Sequence, residues 1–105
     1  MIIRYTPEAI EDLKELRRYI SQVLGNPQAA AKIARGILDA CAQLKDHPHL
    51  GPSLEVKLGQ RTDLRYLICG KRIAIYRIDE DVVSVARILD CRQDYLRILI
   101  GPTEP

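Results

Sequence analysis

The stretch from Arg61 to Leu99 constrains the fold more than any other part of the chain. It contains three short apolar runs, Leu64–Cys69, Arg72–Ile78 and Val82–Leu89, each rich in Ile, Val, Leu or Tyr and separated by turn residues. That pattern predicts strands joined by hairpins. Gly70-Lys71 suits a two-residue turn in which glycine supplies a positive φ. Asp79-Glu80-Asp81 reads as a three-residue charged tip facing water. Side chains alternate across a strand, so the turns set the register. The first turn pairs Cys69 with Arg72, Leu67 with Ala74 and Arg65 with Tyr76. Leu64, Tyr66, Ile68, Ile73 and Ile75 then share a face expected to be the core, and a three-residue second tip adds Val83 and Val85 to it. The outer face collects Arg65, Arg72, Tyr76 and Ser84. The same parity puts Arg77 and Arg87 on the apolar face, where they must snorkel from strand ends or sit at a bulge.

The rest of the chain supplies a cover for that sheet. Ile2–Tyr5 is a short apolar strand candidate, and Thr6-Pro7 opens a helix as N-cap and first-turn proline. Glu8, Glu11 and Asp12 suit its positive end. Ile10, Leu13, Leu16 or Arg17, Ile20 and Leu24 recur at helical spacing, and Gly25 ends the run as a C-cap. Asn26-Pro27 repeats the cap-then-proline start. Ala30, Ile33, Ala34, Ile37, Leu38, Cys41 and Leu44 follow on one side of a second helix, with Ala29–Ala31 thin enough for close helix approach. So short a link requires an antiparallel helical hairpin, and the sheet's apolar face is its natural partner. His47–Pro52 is a loop by composition, Leu54–Leu58 a further strand candidate, and Leu96–Ile100 a short helix or strand that closes the core. Residues 1–100 read as a single domain and Gly101–Pro105 as a flexible tail.

Composition narrows the function classes. The formal charge of +2 excludes a bulk polyanion binder, yet Arg61, Arg65, Lys71, Arg72 and Arg77 face only Asp63 within their stretch. Such a local basic field attracts phosphate or an acidic peptide. No apolar run approaches the roughly 20 residues of a membrane span, and the N-terminus lacks the long apolar region of a signal peptide, so a cytoplasmic protein with no membrane partner is expected. Three cysteines without a CxxC pattern imply reduced, mostly buried thiols. His47 and His49 have no carboxylate or cysteine at ligand spacing, so no metal site is expected, and no glycine-rich phosphate loop or cofactor motif is present.

A metal-free ribonuclease is physically conceivable on such a chain. Arg65, Arg72 and Arg92 could steady the phosphate, and Tyr76 or Tyr95 could stack on a base. No acid–base pair poised near neutrality accompanies them, and arginine is a poor proton shuttle because it stays charged.

Taken in order, the first strand, TPEAIEDLKELRRYI, the helical hairpin, the HPxxG loop, RYLICGKRIAIYRI and VVSVARILDCRQDYL resemble the RelE/ParE superfamily of type II toxin–antitoxin toxins, and more closely its ParE side. The resemblance spans almost the whole chain. It implies an α+β, two-layer β-α-α-β-β-β fold, with the helical hairpin packed on a mainly antiparallel sheet. It implies a cognate antitoxin that wraps the toxin, and operator DNA bound only through that antitoxin. ParE-type members poison DNA gyrase without hydrolysis, whereas RelE-type members cut mRNA on the ribosome. Arg72 matches the strand arginine of the nucleases, and Tyr95 could replace their C-terminal tyrosine. Arg92 falls in the basic pair after the last strand, but Gln93 replaces its second member, and Asp90 and Cys91 stand where the ParE-like form has histidine and glycine. The expectation is a gyrase-directed toxin that needs no cofactor. A RelE-type nuclease using Arg65, Arg72, Arg92 and Tyr95 is the alternative, and a non-toxic relative acting only as a binding partner a further one. Arg61, Arg65, Arg72, Tyr76 and Arg92 are the expected target- or antitoxin-binding residues, with the antitoxin covering part of the basic face.

Overall fold

The structure is a computed structural model that describes residues 1–100; the expected tail lies outside them. Strand β1, Ile2–Tyr5, leads into helix α1, Pro7–Arg18, which continues as a π-helical turn over Tyr19–Val23. Helix α2 spans Pro27–Ala42 and tightens into a 3₁₀ turn over Gln43–Lys45. A single helical turn, α3, covers Glu55–Leu58. Strands β2, Arg65–Cys69, β3, Arg72–Asp79, and β4, Val82–Asp90, precede a terminal helix α4, Tyr95–Ile100. The sheet order is β1-β4-β3-β2, antiparallel except for the parallel β1–β4 pair.

The caps act as their sequence implies. The Thr6 hydroxyl accepts the Ala9 amide at 3.1 Å and donates to the Ala86 carbonyl at 2.8 Å, so one side chain starts α1 and ties it to β4. Asn26 Oδ1 accepts the Ala29 amide at 3.0 Å. Gly25, at φ 66°, turns the chain between the helices. Gly70, at φ 64°, turns β2 into β3 with the expected pairing of Cys69 with Arg72, Leu67 with Ala74 and Arg65 with Tyr76.

The expected core face is corrected. The α1–α2 hairpin packs on the face carrying Leu67, Cys69, Ala74 and Tyr76, where Ala9, Leu16, Ile20, Ala30, Ile37 and Cys41 meet the sheet. The face carrying Ile73 and Ile75 is covered instead by Leu54, Leu58, Leu64, Tyr66, Cys91, Tyr95 and Leu99. Both sides of the central strand are therefore shielded. Its run Ile73-Ala74-Ile75-Tyr76 is the continuous apolar signature of such a strand, and it conveys more than alternation does.

The second tip is also corrected. Asp79 pairs with Val82, leaving a two-residue turn, Glu80-Asp81, with Glu80 at φ 55°. The one-residue difference moves Val83 and Val85 to the helical side. Further along, Ile75 faces Arg87 while Tyr76 faces Val85, so Ala86 is the bulged residue. Beyond the bulge Arg87 still lies opposite Ile75, so an ion pair rather than the register accommodates it. That guanidinium turns to α1 and forms a two-point pair with Asp12 at 2.8 and 2.9 Å. Asp12 also accepts the Ile88 amide at 2.9 Å. Arg77 stays half exposed, 4.0 Å from Asp63.

Leu54–Leu58 is not a strand. Ser53 makes a lone bridge to Arg65, its hydroxyl accepts the Glu55 amide at 3.2 Å, and the chain coils into α3 before Gly59, at φ 72°, ends it. The segment after β4 resolves as helix α4, which closes the second cluster through Tyr95 and Leu99. Cys41 is buried, and burial pushes its thiol up to about 12; Cys69 and Cys91 are half-buried and free. Among the described residues no helix is long and apolar enough to cross a membrane.

Candidate functional site

The sequence-predicted residues separate into a structural clamp and an open basic cleft. Tyr76 belongs to the clamp. It is fully buried, its hydroxyl accepts the Gly51 amide at 2.9 Å, and it donates to the Pro48 carbonyl at 2.8 Å. Arg65 acts on the same loop, donating from Nε to the Gly51 carbonyl at 2.7 Å and from Nη2 to the His49 carbonyl at 3.3 Å. Gly51 is required there because a Cβ would collide with the Tyr66 carbonyl oxygen. The expectation that Tyr76 offers a ring to a target is therefore corrected: its neighbours cover it, and the half-buried Arg65 is committed to backbone carbonyls.

The cleft lies where the α1–α2 link approaches the β2–β3 turn and the end of β4. Lys71, Arg72 and Arg92 line it together with Tyr19, Ile20, Leu24, Asn26, Ala29 and Ile33, around a space of about 390 Å³. Asp90 is the acid at its edge. Arg92 donates to it from Nε at 3.0 Å, from Nη2 at 2.7 Å and from the backbone amide at 2.8 Å. Hydrogen bonds from Arg92 first, and then the charge of nearby Arg72, hold the Asp90 carboxyl well below the usual carboxylate range. Arg72 pairs with Asp90 across the β3–β4 ladder, but its Nη1 reaches no closer than 3.5 Å to Oδ2.

The other predicted residues lie elsewhere. Arg61 is exposed in the loop before β2 and is not among the residues lining this cleft. Tyr95 packs into the second apolar cluster, so the nuclease set Arg65, Arg72, Arg92 and Tyr95 is not assembled at one point; only Arg72 and Arg92 converge. Tyr19 is a member of the cleft that sequence reasoning missed. It reads as one more helical position, and its only signal is an aromatic next to the basic end of α1. Among the described residues no three His, Cys, Asp or Glu side chains converge as a metal site would need.

A second, apolar groove of about 460 Å³ runs between α2 and the β2–β3 turn, lined by Ile33, Gly36, Ile37, Ala40 and Cys69–Arg72. Two comparisons bear on these surfaces. Residues 3–95 match the family model described as the ParE toxin of type II toxin–antitoxin system, parDE. The chain belongs to the ParE toxin family. A solved structure described as the chromosomal ParDE TA system from P. aeruginosa superposes with a TM-score of 0.65 at 21% identity, over 86% of this chain and 95% of that one. No curated protein sequence matches. The fold of this ParE-family chain is thus shared with a solved toxin–antitoxin structure, and its α+β arrangement follows the expected order of elements.

Proposed function

We propose that this chain is the toxic half of a type II toxin–antitoxin pair, that it arrests growth by binding DNA gyrase in the cytoplasm, and that a cognate antitoxin neutralises it. The observation that carries the binding-only reading is the chemistry of the basic cleft. It brings Lys71, Arg72 and Arg92 together, and Arg92 holds the neighbouring Asp90 carboxyl well below the usual carboxylate range. Strand cleavage needs a group that takes a proton from a 2′-hydroxyl and one that returns it to the leaving oxygen. Neither Tyr76 nor Tyr95 reaches the cleft to serve. Tyr19 is the tyrosine that lines the cleft, and three cations converging beside it suit recognition.

The antitoxin belongs in the apolar groove beside α2. An amphipathic segment laid there covers Ile33, Ile37 and Cys69, and its acidic residues meet Lys71 at the groove's end. Operator DNA is then contacted through the antitoxin, since this chain's net charge is only +2.

Inducing the chain alone should inhibit growth, with filamentation and a DNA-damage response while bulk translation continues. Purified protein should inhibit gyrase supercoiling, and co-expression of the adjacent antitoxin should abolish both effects. Ribosome-bound messages cut before any effect on supercoiling, with cutting lost in Arg72→Ala, would replace this reading with the nuclease one. Folded protein harmless at high expression without an antitoxin would favour the non-toxic relative.

A further inference from the structure

We propose that the basic cleft is a binding site for the terminal phosphate of a nucleotide. Lys71, Arg72 and Arg92 hold the phosphate, and the base lies against Tyr19 and the apolar floor of Ile20, Leu24 and Ile33. The cleft is the same one that carries the recognition reading above, and the titrations below are made on purified protein apart from growth inhibition and supercoiling, so the two readings can fail separately.

Arg72 makes the first argument. Its side chain is only 15% exposed, yet its sole polar contact among the described residues is the 3.5 Å approach to Asp90. The other guanidiniums on the sheet are better served. Arg87 has a two-point pair with Asp12, and Arg65 has two carbonyls. Arg72 lacks an equivalent: Arg92 makes the close contacts to both Asp90 oxygens, and Arg72 stands 3.5 Å from one of them. A guanidinium carries five donors in a fixed fork, and no nitrogen of Arg72 is sealed in without a partner, so the donors that Asp90 does not reach stay accessible from outside. Its unclaimed donors open onto the cleft, where an oxyanion would satisfy them.

Charge selects the anion. Three cations face one acid, an excess of two positive charges. Of the nearby acids, Asp12 is paired with Arg87 and Glu15 with Arg18. A phosphate monoester, near −2 at neutral pH, balances that excess, whereas an internal phosphodiester or a single carboxylate supplies −1. Tyr19 is 49% exposed and lines the cleft beside aliphatic side chains, which makes the opposite wall a surface for a flat ring rather than for more charge. The space of about 390 Å³ accommodates one nucleotide.

The same chemistry has two sources, a free nucleoside monophosphate or the 5′-phosphorylated end of a single strand. Calorimetric titration of the full chain at low salt with AMP, inorganic phosphate, and one short oligonucleotide in 5′-phosphate and 5′-hydroxyl forms tests the site and separates the sources. Saturable binding of AMP is expected, with the 5′-phosphorylated strand at least about tenfold tighter than its hydroxyl counterpart if strand ends are the source; equal weakness of both strands beside tight AMP would assign the free nucleotide. Lys71→Ala and Arg92→Ala, both at exposed positions, should each weaken AMP and inorganic phosphate about tenfold. Tyr19→Ala should weaken AMP roughly tenfold and leave inorganic phosphate unchanged. The proposal is overturned if AMP and phosphate do not bind, if binding survives Lys71→Ala and Arg92→Ala, or if only an acidic peptide titrates these residues.

Discussion

Replacing Tyr76 with phenylalanine removes one hydroxyl from the interior and keeps the ring. The lost oxygen accepts the Gly51 amide and donates to the Pro48 carbonyl, at 2.9 and 2.8 Å. An intramolecular hydrogen bond contributes about 1 kcal/mol net, and a buried donor stripped of its acceptor costs about 1–3 kcal/mol. The Gly51 amide is such a donor, because Gly51 is buried and phenylalanine offers it nothing. The Pro48 carbonyl is less enclosed and recovers part of its loss from water. The expected penalty is about 2 kcal/mol, a large share of the roughly 5–15 kcal/mol that holds a chain of this size. Urea unfolding followed by circular dichroism should place the midpoint about 1 M lower, with an unchanged slope. A midpoint within about 0.2 M of the parent would refute the clamp and reopen Tyr76 as a surface residue. Below the transition the variant should keep its growth inhibition and its ligand affinities, since its ring meets no partner.

Three further perturbations test the same frame. Asp12→Ala leaves the partly buried Arg87 guanidinium and the Ile88 amide without their acceptor, and thermal unfolding should show a loss of about 2 kcal/mol, below the full cost of a deeply buried pair. Asp90 has its folded carboxyl depressed from the ordinary 3.8, so its stabilisation is complete above that value and fades as pH falls below it; Asp90→Asn should flatten this acid limb in urea midpoints measured between pH 5 and 2. Glu80 sits at φ 55°, a region that costs a β-carbon about 1 kcal/mol, and Glu80→Gly should raise the urea midpoint slightly while leaving β3–β4 pairing intact.

How far the site was legible follows from individual residues. Arg72 and Arg92 could be named as a pair worth watching, because strand and post-strand positions place both at the same end of the sheet. Their division of Asp90 could not. It depends on where the chain turns after β4, and on the Arg92 amide meeting the same carboxylate that its side chain grips. Tyr19 joins them only because the link at Gly25 brings the end of α1 beside the β2–β3 turn.

Local chemistry in the chain was enough to start the two long helices and to turn β2 into β3. Thr6-Pro7 and Asn26-Pro27 start the helices, Gly25 separates them, and Gly70 turns β2 into β3 in a known register. These are short-range effects of sterics and capping, and neighbouring residues suffice to specify them. The choice of which sheet face meets the hairpin was decided by tertiary structure alone. Both faces of β3 are apolar enough to be buried, so alternation cannot rank them. The two-residue tip at Glu80-Asp81 puts Val83 and Val85 on the Tyr76 face, and the bulge at Ala86 returns the rest of β4 to its earlier parity. With the hairpin seated on that face, Tyr76 is buried, Arg87 meets Asp12, and Arg72 stays in the cleft with unclaimed donors.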